Sequence, residues 1–469
     1  MKKFLIFALT LVLAAALIGP KIVASQFASG IQNTVDLINK NPSYTASVIS
    51  MDNRWFSTKA EVAVGMNIPD MSDITGETHA DLSINLDVTA SHGPFIINNG
   101  FALGWLHTVV QTQSTKLPKG LVFPNSEPFY KFDGITGLLG TTTYQDRIAA
   151  MDYTDPTTQT TVAFTGLTGN GEISGAGLEY KADADNISMN VENMLNFNIA
   201  NVAFDIQSST SITAMLSQGL YDSNISFSTQ LITFNDVMKG TEVRVTDTKL
   251  VGISDYDKET DLGNLAMTTT VALVDTPDMN LSDLTSIIEI KNIQAKFLLA
   301  YQDFSNKMLK NMADPAQVQT DLDTFMNKYL LDQLQANPEY NFSEISGKIN
   351  GSQFRGKIMA KLGEITELPN AIEDTAFWMQ NVILVSDMLI EKNAAEFIAN
   401  MVVTKQLLTN PNFTALSQEE QANIISQQVQ GTIEGVVQQG MVSLEGEDYS
   451  MVFTLEGGVA MLNGNQIPL

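Results

Sequence analysis

Leu82-Ser83-Ile84-Asn85-Leu86-Asp87-Val88-Thr89 decides the fold class. Leu82, Ile84, Leu86 and Val88 alternate with polar residues. Successive strand side chains point to opposite faces, so this spacing predicts a strand with one apolar and one wet face. The same alternation recurs at Ile187, Met189 and Val191, at Val202, Phe204 and Ile206, and at Val243 and Val245. It returns at Tyr449, Met451, Phe453 and Leu455. Turn signals at Thr168-Gly169-Asn170-Gly171, Asn98-Asn99-Gly100 and Asp133-Gly134 divide the runs. The expected fold is α+β and mainly β: a large antiparallel sheet system of successive hairpins. Each apolar strand face must then lie over a core, a helix or a ligand.

Towards the C-terminus the period lengthens, and a helical segment is expected over 281–440. Asp314-Pro315 is a cap followed by a first-turn proline, which predicts a helix to Gln335, stopped before Asn337-Pro338. A β-hairpin insert at about 342–362 turns at Asn350-Gly351. Pro369 opens a long helix in which Ile372, Ala376, Met379, Ile383, Ser386 and Ile390 follow near-heptad spacing, continued by Phe397 and Met401. Ser417 to Glu420 reads as a capping box, with a helix to Gln439. Closing strands occupy 441–469, divided at Gly457-Gly458. Residues 25–280 form the antiparallel body.

Residues 1–24 read as an export signal or an N-terminal membrane anchor. Lys2 and Lys3 precede an apolar run from Phe4 to Ile18, relieved only by Thr10, and Gly19-Pro20, Lys21 and the small pair Ala24-Ser25 follow. The lysines place the N-terminus inside. A spanning helix needs roughly 20 apolar residues, and Gly19-Pro20 and Lys21 interrupt the run short of that. Retention as an anchor is placed ahead of cleavage after Ala24. Phe27, Ile31, Val35 and Ile38 then predict a short helix over Phe27–Asn39, ended by Asn41-Pro42.

The chain has 469 residues, 26 basic against 52 acidic, and no cysteine. The acidic excess repels phosphate backbones, so no nucleic-acid partner is expected. Without thiols there are no disulfides, thiolate metal sites or iron–sulfur clusters.

Three islands add to this. The first is Asn39-Lys40-Asn41-Pro42-Ser43-Tyr44, with Arg54-Trp55-Phe56-Ser57 and the strand Ala60 to Val64. The second is His92-Gly93-Pro94-Phe95, and the third runs from Gly458 through Asn463-Gly464 to Leu469. In their order, and with the leader, they resemble the YdgA-like bacterial envelope family, domain of unknown function 945. That resemblance implies an inner-membrane segment and a periplasmic body, and it carries no catalytic residues. Read as plain chemistry, Trp55 and Phe56 cover a sheet end, His92-Gly93-Pro94 ends a strand, and Asn463-Gly464 is a hairpin turn.

Signs of catalysis are sparse. His79, His92 and His107 have no local zinc spacing. No Gly-x-Ser-x-Gly elbow occurs, and Ser174 stands in the wrong spacing. Gly169-Asn170-Gly171 lacks the third glycine of a dinucleotide loop. Asp255, Asp257 and Asp261 alternate like the start of a calcium loop without its glycine, and Asp183 and Asp185 form a weaker cluster. No cofactor is expected. The expectation is a non-enzymatic envelope protein, periplasmic and held to the inner membrane by its N-terminal segment, with a hydrophobic ligand such as lipid in an apolar β concavity. The alternatives are a cleaved, soluble form, a scaffold binding an envelope protein or itself through the Ile372–Met401 face, and a glycan or cell-wall hydrolase.

Overall fold

The computed structural model describes residues 2–40, 44–66, 82–97, 101–113, 120–125, 127–155, 157–215, 218–311, 314–369 and 371–468. His79, the helix stop at Asn41-Pro42 and the turn at Asn98-Asn99-Gly100 lie outside them. The chain is mostly strand, and helices concentrate in its C-terminal half. It divides into two compact units: residues 1–227, 236–238 and 298–327, and residues 228–235, 239–297 and 328–469.

The first unit holds β1 (Tyr44–Asn53), β2 (Ser57–Met66), β3 (Leu82–His92), β4 (Phe95–Ile97), β5 (Phe101–Leu103), β6 (Leu106–Thr112) and β7 (Leu121–Val122). It continues with β8 (Tyr130–Thr136), β9 (Thr142–Ile148), β10 (Met151–Thr154), β11 (Thr161–Phe164), β12 (Leu167–Ser174), β13 (Gly177–Val191) and β14 (Leu195–Ser208). Antiparallel pairing runs β1-β2-β3-β6-β8-β9-β12-β13-β14. The short strands β7, β10 and β11 pair in turn and reach the second half of β13. β15 (Ser223–Asp236) is shared between the units.

A single helix runs from Lys2 to Ile38, straight through Gly19-Pro20, where the sequence predicts an interruption. Proline in a helix interior costs about 3 kcal/mol. Here tertiary burial offsets that cost: the Pro20 ring is fully buried. Beyond it, Phe27, Ile31 and Val35 share one helix face at intervals of four. Val35 packs with Ala60, Val62 and Val88, ringed by Phe27, Ile31, Ala46, Val48, Met51, Val64 and Val110. Of the apolar face read from Leu82 to Val88, Val88 is covered by this helix, while Ile84 stays exposed.

The second unit orders β16 (Thr241–Asp257), β17 (Leu262–Asp275), β18 (Asn280–Gln294), β19 (Glu339–Ile349), β20 (Ser352–Leu362), β21 (Val382–Ile390) and β23 (Asp448–Glu456). β22 (Ser443–Glu445) and β24 (Val459–Leu462) share the free side of β23, and β25 (Asn465–Ile467) pairs with β24. Asn350-Gly351, Gly457-Gly458 and Asn463-Gly464 all have positive φ at both residues, the backbone of a tight hairpin turn. Asp314 caps its helix by accepting from Gln317 N at 3.1 Å, and Ser417 and Glu420 form a reciprocal capping box.

Three sequence expectations need correction. The heptad-like run is not one helix: Thr375–Asn381 is helical, Val382–Ile390 is a strand, and Lys392–Leu407 is helical again. Val382, Ile383 and Val385 are β-branched, and two long neighbours, β20 and β23, offer them ladders on both sides. Segment 281–440 thus contains β18 and β21 besides its hairpin. Asp133-Gly134 and Thr168 to Gly171 are not turns but lie within β8 and β12.

In the second unit, Met267, Tyr340 and Phe342 lie in neighbouring cross-strand rows of one face and remain exposed.

Candidate functional site

The registers of the first unit bring six strand ends together. Asn53 pairs with Thr58, Ser57 with Ser91, His92 with Leu106, Leu106 with Thr136, and Thr136 with Thr142. Trp55, Phe56, His92, Gly93 and Pro94 therefore converge at one end of the sheet. Trp55 and Phe56 do not seal that end: both occupy the β1–β2 turn and stand about half exposed.

His92 is buried and structural. Its Nδ1 donates to the Trp55 carbonyl at 3.3 Å, and Thr58 Oγ1 lies 3.1 Å from its Nε2. Thr58 Oγ1 is also 2.8 Å from Asn53 Oδ1, and Asn53 Nδ2 donates to the Ala24 carbonyl on the helix. Burial pushes the imidazole pKa down, partly opposed by the bond to Trp55, which suits a neutral brace. Gly93 allows a close approach: its N–H donates to Trp105 O at 2.8 Å, and a Cβ there would fall 1.5 Å from Gly104 O. Trp105 N in turn donates to Thr136 O, and its indole Nε1 to Leu138 O.

Between this sheet end and the helix lies an apolar cleft of about 530 Å³. Gly19, Ile22, Val23, Phe27 and Gly30 form its helical wall, and Trp105 and Leu106 its sheet wall. Ligand pockets commonly measure about 300–1,000 Å³ and are mostly apolar. Gly19 lets the Trp105 ring come close, since a Cβ would be 2.9 Å from the ring, whereas nothing stands within 4 Å of a Cβ at Gly30. Sequence reasoning missed Trp105 and both glycines. The only visible signal was that Trp105 is one of three tryptophans and follows Gly104.

A second cleft, of about 880 Å³, lies over β8, β9 and β12 and is polar, with Lys131, Asp133, Arg147 and Asn170 in its lining. Asp133 is held by His107 Nε2 at 2.9 Å, and Arg147 pairs with Glu127. Asp146, by strand alternation, leaves the opposite face from Asp133, so the two carboxylates do not converge.

On that opposite face Tyr144 and Tyr180 flank Gly171, with ring centroids 6.1 Å apart, and Tyr180 donates to Asp146 at 3.1 and 3.2 Å. Burial, with the Asp146 carboxylate beside them, pushes Tyr130 and Tyr144 up to about 12, and Tyr180 is raised too. Burial also raises Asp146, opposed by the phenol hydrogen bonds. For all four groups the folded-state pKa exceeds the unfolded one, so their contribution is complete below the unfolded value and lost as pH rises through the folded value. For Tyr130 and Tyr144 that window is pH 10 to about 12. Absorbance titration at alkaline pH is expected to separate a late class, including these three, among the eleven tyrosines. Asp146→Asn is expected to move that class earlier; a single step for all eleven would contradict the cluster.

The calcium candidates serve a turn in the second unit. Asp257 accepts from Glu259 N and Thr260 Oγ1, Asp261 accepts from the Tyr256 hydroxyl at 2.8 Å, and Asp255 pairs with Asn264 in the ladder. No group of three His, Cys, Asp or Glu able to hold a metal occurs among the described residues. Asn463, also in the second unit, accepts from Val452 N and donates to Gly440 O. Ser174 only accepts from Ala176 N at the end of its strand.

No helix among the described residues is long and apolar enough to cross a membrane. A family model described as "Bacterial protein of unknown function (DUF945)" matches residues 1–469, the whole chain. No curated protein and no solved structure matches it.

Proposed function

We propose a binding role for this chain, which belongs to the DUF945 family of bacterial proteins: it is an envelope protein that holds a hydrophobic ligand, a lipid acyl chain, in the cleft between its N-terminal helix and the sheet. The apolar cleft behind Trp105 carries this reading. Its walls offer one amide side chain, Gln26, and one hydroxyl, Thr136, against a majority of apolar surface. Such a site suits a hydrocarbon better than a charged or glycan substrate.

The same geometry favours keeping the N-terminal segment on the chain. Ala24 is fully buried, and cleavage after it would remove Gly19, Ile22 and Val23, part of one cleft wall. The scaffold alternative draws on the Ile372–Met401 run, which is two helices on either side of β21, with Met388 and Met401 exposed.

Lipid extraction of natively purified full-length protein, followed by mass spectrometry, tests the reading. Wild type is expected to carry lipid. Gly30→Phe fills open space in the cleft and is expected to lower occupancy about tenfold, the effect of about 1.4 kcal/mol, with an unchanged unfolding midpoint. Wild-type protein free of lipid, or equal lipid in both proteins, would overturn it.

A further inference from the structure

We infer that the strand-end apexes around the cleft form a membrane seat, an apolar collar that rests in the interface of a lipid bilayer. The inference depends on one part of the proposed function, the retained N-terminal segment, and not on an occupied cleft.

The β4–β5 hairpin is apolar on both faces. Ile96 is buried on one, while Phe95, Ile97, Phe101 and Leu103 share the other as the cross-strand pairs Phe95–Leu103 and Ile97–Phe101. Ile97 is 84% and Phe101 67% exposed. A half-buried hairpin in water should be polar on its outer face. Leu139, in the β8–β9 turn, is 99% exposed, and Leu138, Trp55 and Phe56 stand about half exposed. Two backbone hydrogen bonds and one from a side chain make these apexes neighbours: His92 N donates to Phe56 O, Gly93 N to Trp105 O, and the Trp105 indole Nε1 to Leu138 O. Contiguous exposed apolar surface of this kind marks a binding surface.

The occupant follows from where the N-terminal helix leaves the sheet. Gly19 lies against Trp105, so the helix departs at the collar, and Ile18 and Ile22 are more than half exposed there. Beyond lies the uncharged run Phe4–Ile18. As helix it rises about 22 Å, against a hydrocarbon thickness of about 30 Å. A segment that short reaches across only if the body it carries sits down into the interface. The collar supplies the apolar side chains for that position. Lys21, 6.0 Å above the Trp55 ring, supplies the basic and aromatic pair common at headgroup depth.

The absence of native cysteine permits single labels on the full chain. Spin labels at Ile97→Cys, Phe101→Cys and Leu139→Cys are compared with one at Met194→Cys, in the β13–β14 turn at the other end of the sheet. A label at Thr10→Cys reports the helix. In neutral phosphatidylcholine vesicles the three collar labels are expected to lose access to a water-soluble nickel chelate and gain access to oxygen, and the Met194 label to do neither. Collar labels as open to the chelate as Met194 overturn the inference. If the Thr10 label is protected in that case, the seat fails alone; if it too is open, the membrane-held reading fails with it. Fluorescence-monitored unfolding of each variant, matching wild type, shows that the fold is intact.

Discussion

Gly93→Ala lowers the stability of the first unit by about 4 kcal/mol or more, the range reached only by severe steric or burial defects. The added Cβ would sit 1.5 Å from Gly104 O, 2.7 Å from Gly104 C and 3.1 Å from Trp105 Cα. All three are backbone atoms, so no side chain can swing aside. Relief requires pulling β3 from β6 near the His92–Leu106 pair, which breaks the Gly93 N–H bond to Trp105 O and loosens the brace from His92 through Thr58 and Asn53. Gly175→Ala, where a Cβ meets nothing within 4 Å, is the control and should change little. Urea unfolding of both variants checks this. A Gly93→Ala midpoint equal to that of Gly175→Ala would sink the close approach.

The second large effect is expected at Gly171→Ala, about 3 kcal/mol, in the range of an overpacked core. A Cβ there would lie 2.5 Å from Glu179 O and from the Tyr144 Cζ and hydroxyl. It would strike the ladder to β13 and displace the ring stacked across the glycine. At Gly169 the nearest atoms are the tips of Asp146 and Tyr180, which can rotate away, so Gly169→Ala should cost about half as much despite its shorter contacts. If Gly169 to Gly171 formed an exposed turn, neither substitution would cost more than the few tenths of a kcal/mol usual at the surface. Denaturant unfolding, with the near-ultraviolet tyrosine signal followed in parallel, separates the two cases.

Those glycines show where reading the sequence succeeds and where it stops. Asn350-Gly351, Gly457-Gly458 and Asn463-Gly464 were legible because a tight hairpin turn needs positive φ at both residues, and these pairs adopt it cheaply. Gly169-Asn170-Gly171 carries the same local signal but lies in a strand. Its glycines are there because Tyr144 and Tyr180 need a bare surface, and those partners come from β9 and β13. Pro20 is similar: its burial, invisible in the flanking residues, keeps the helix whole. The near-heptad from Ile372 to Met401 failed because short apolar runs fit both periods, and two available ladders settled Val382–Ile390 as a strand.

The candidate site divides in the same way. Trp55, Phe56 and His92-Gly93-Pro94 stood out as motifs, and they do meet at one sheet end. Trp105, Gly19 and Gly30 complete the cleft, yet no spacing links residue 19 to residue 105. Their contact exists only because the helix lies along β1 to β3 and passes Trp105 at the start of β6.

The order of residues alone determined what is local: the two-residue period of the strands, the caps, the three hairpin turns and the apolar N-terminal run. Each depends on a few neighbouring torsion angles or on side chains within one turn of chain. Only the folded molecule decided which glycines lie beneath tyrosines, that the helix passes through Pro20, and that an apolar cleft opens beside Trp105. Those outcomes depend on burial between segments dozens of residues apart, and burial energy belongs to the assembled surfaces.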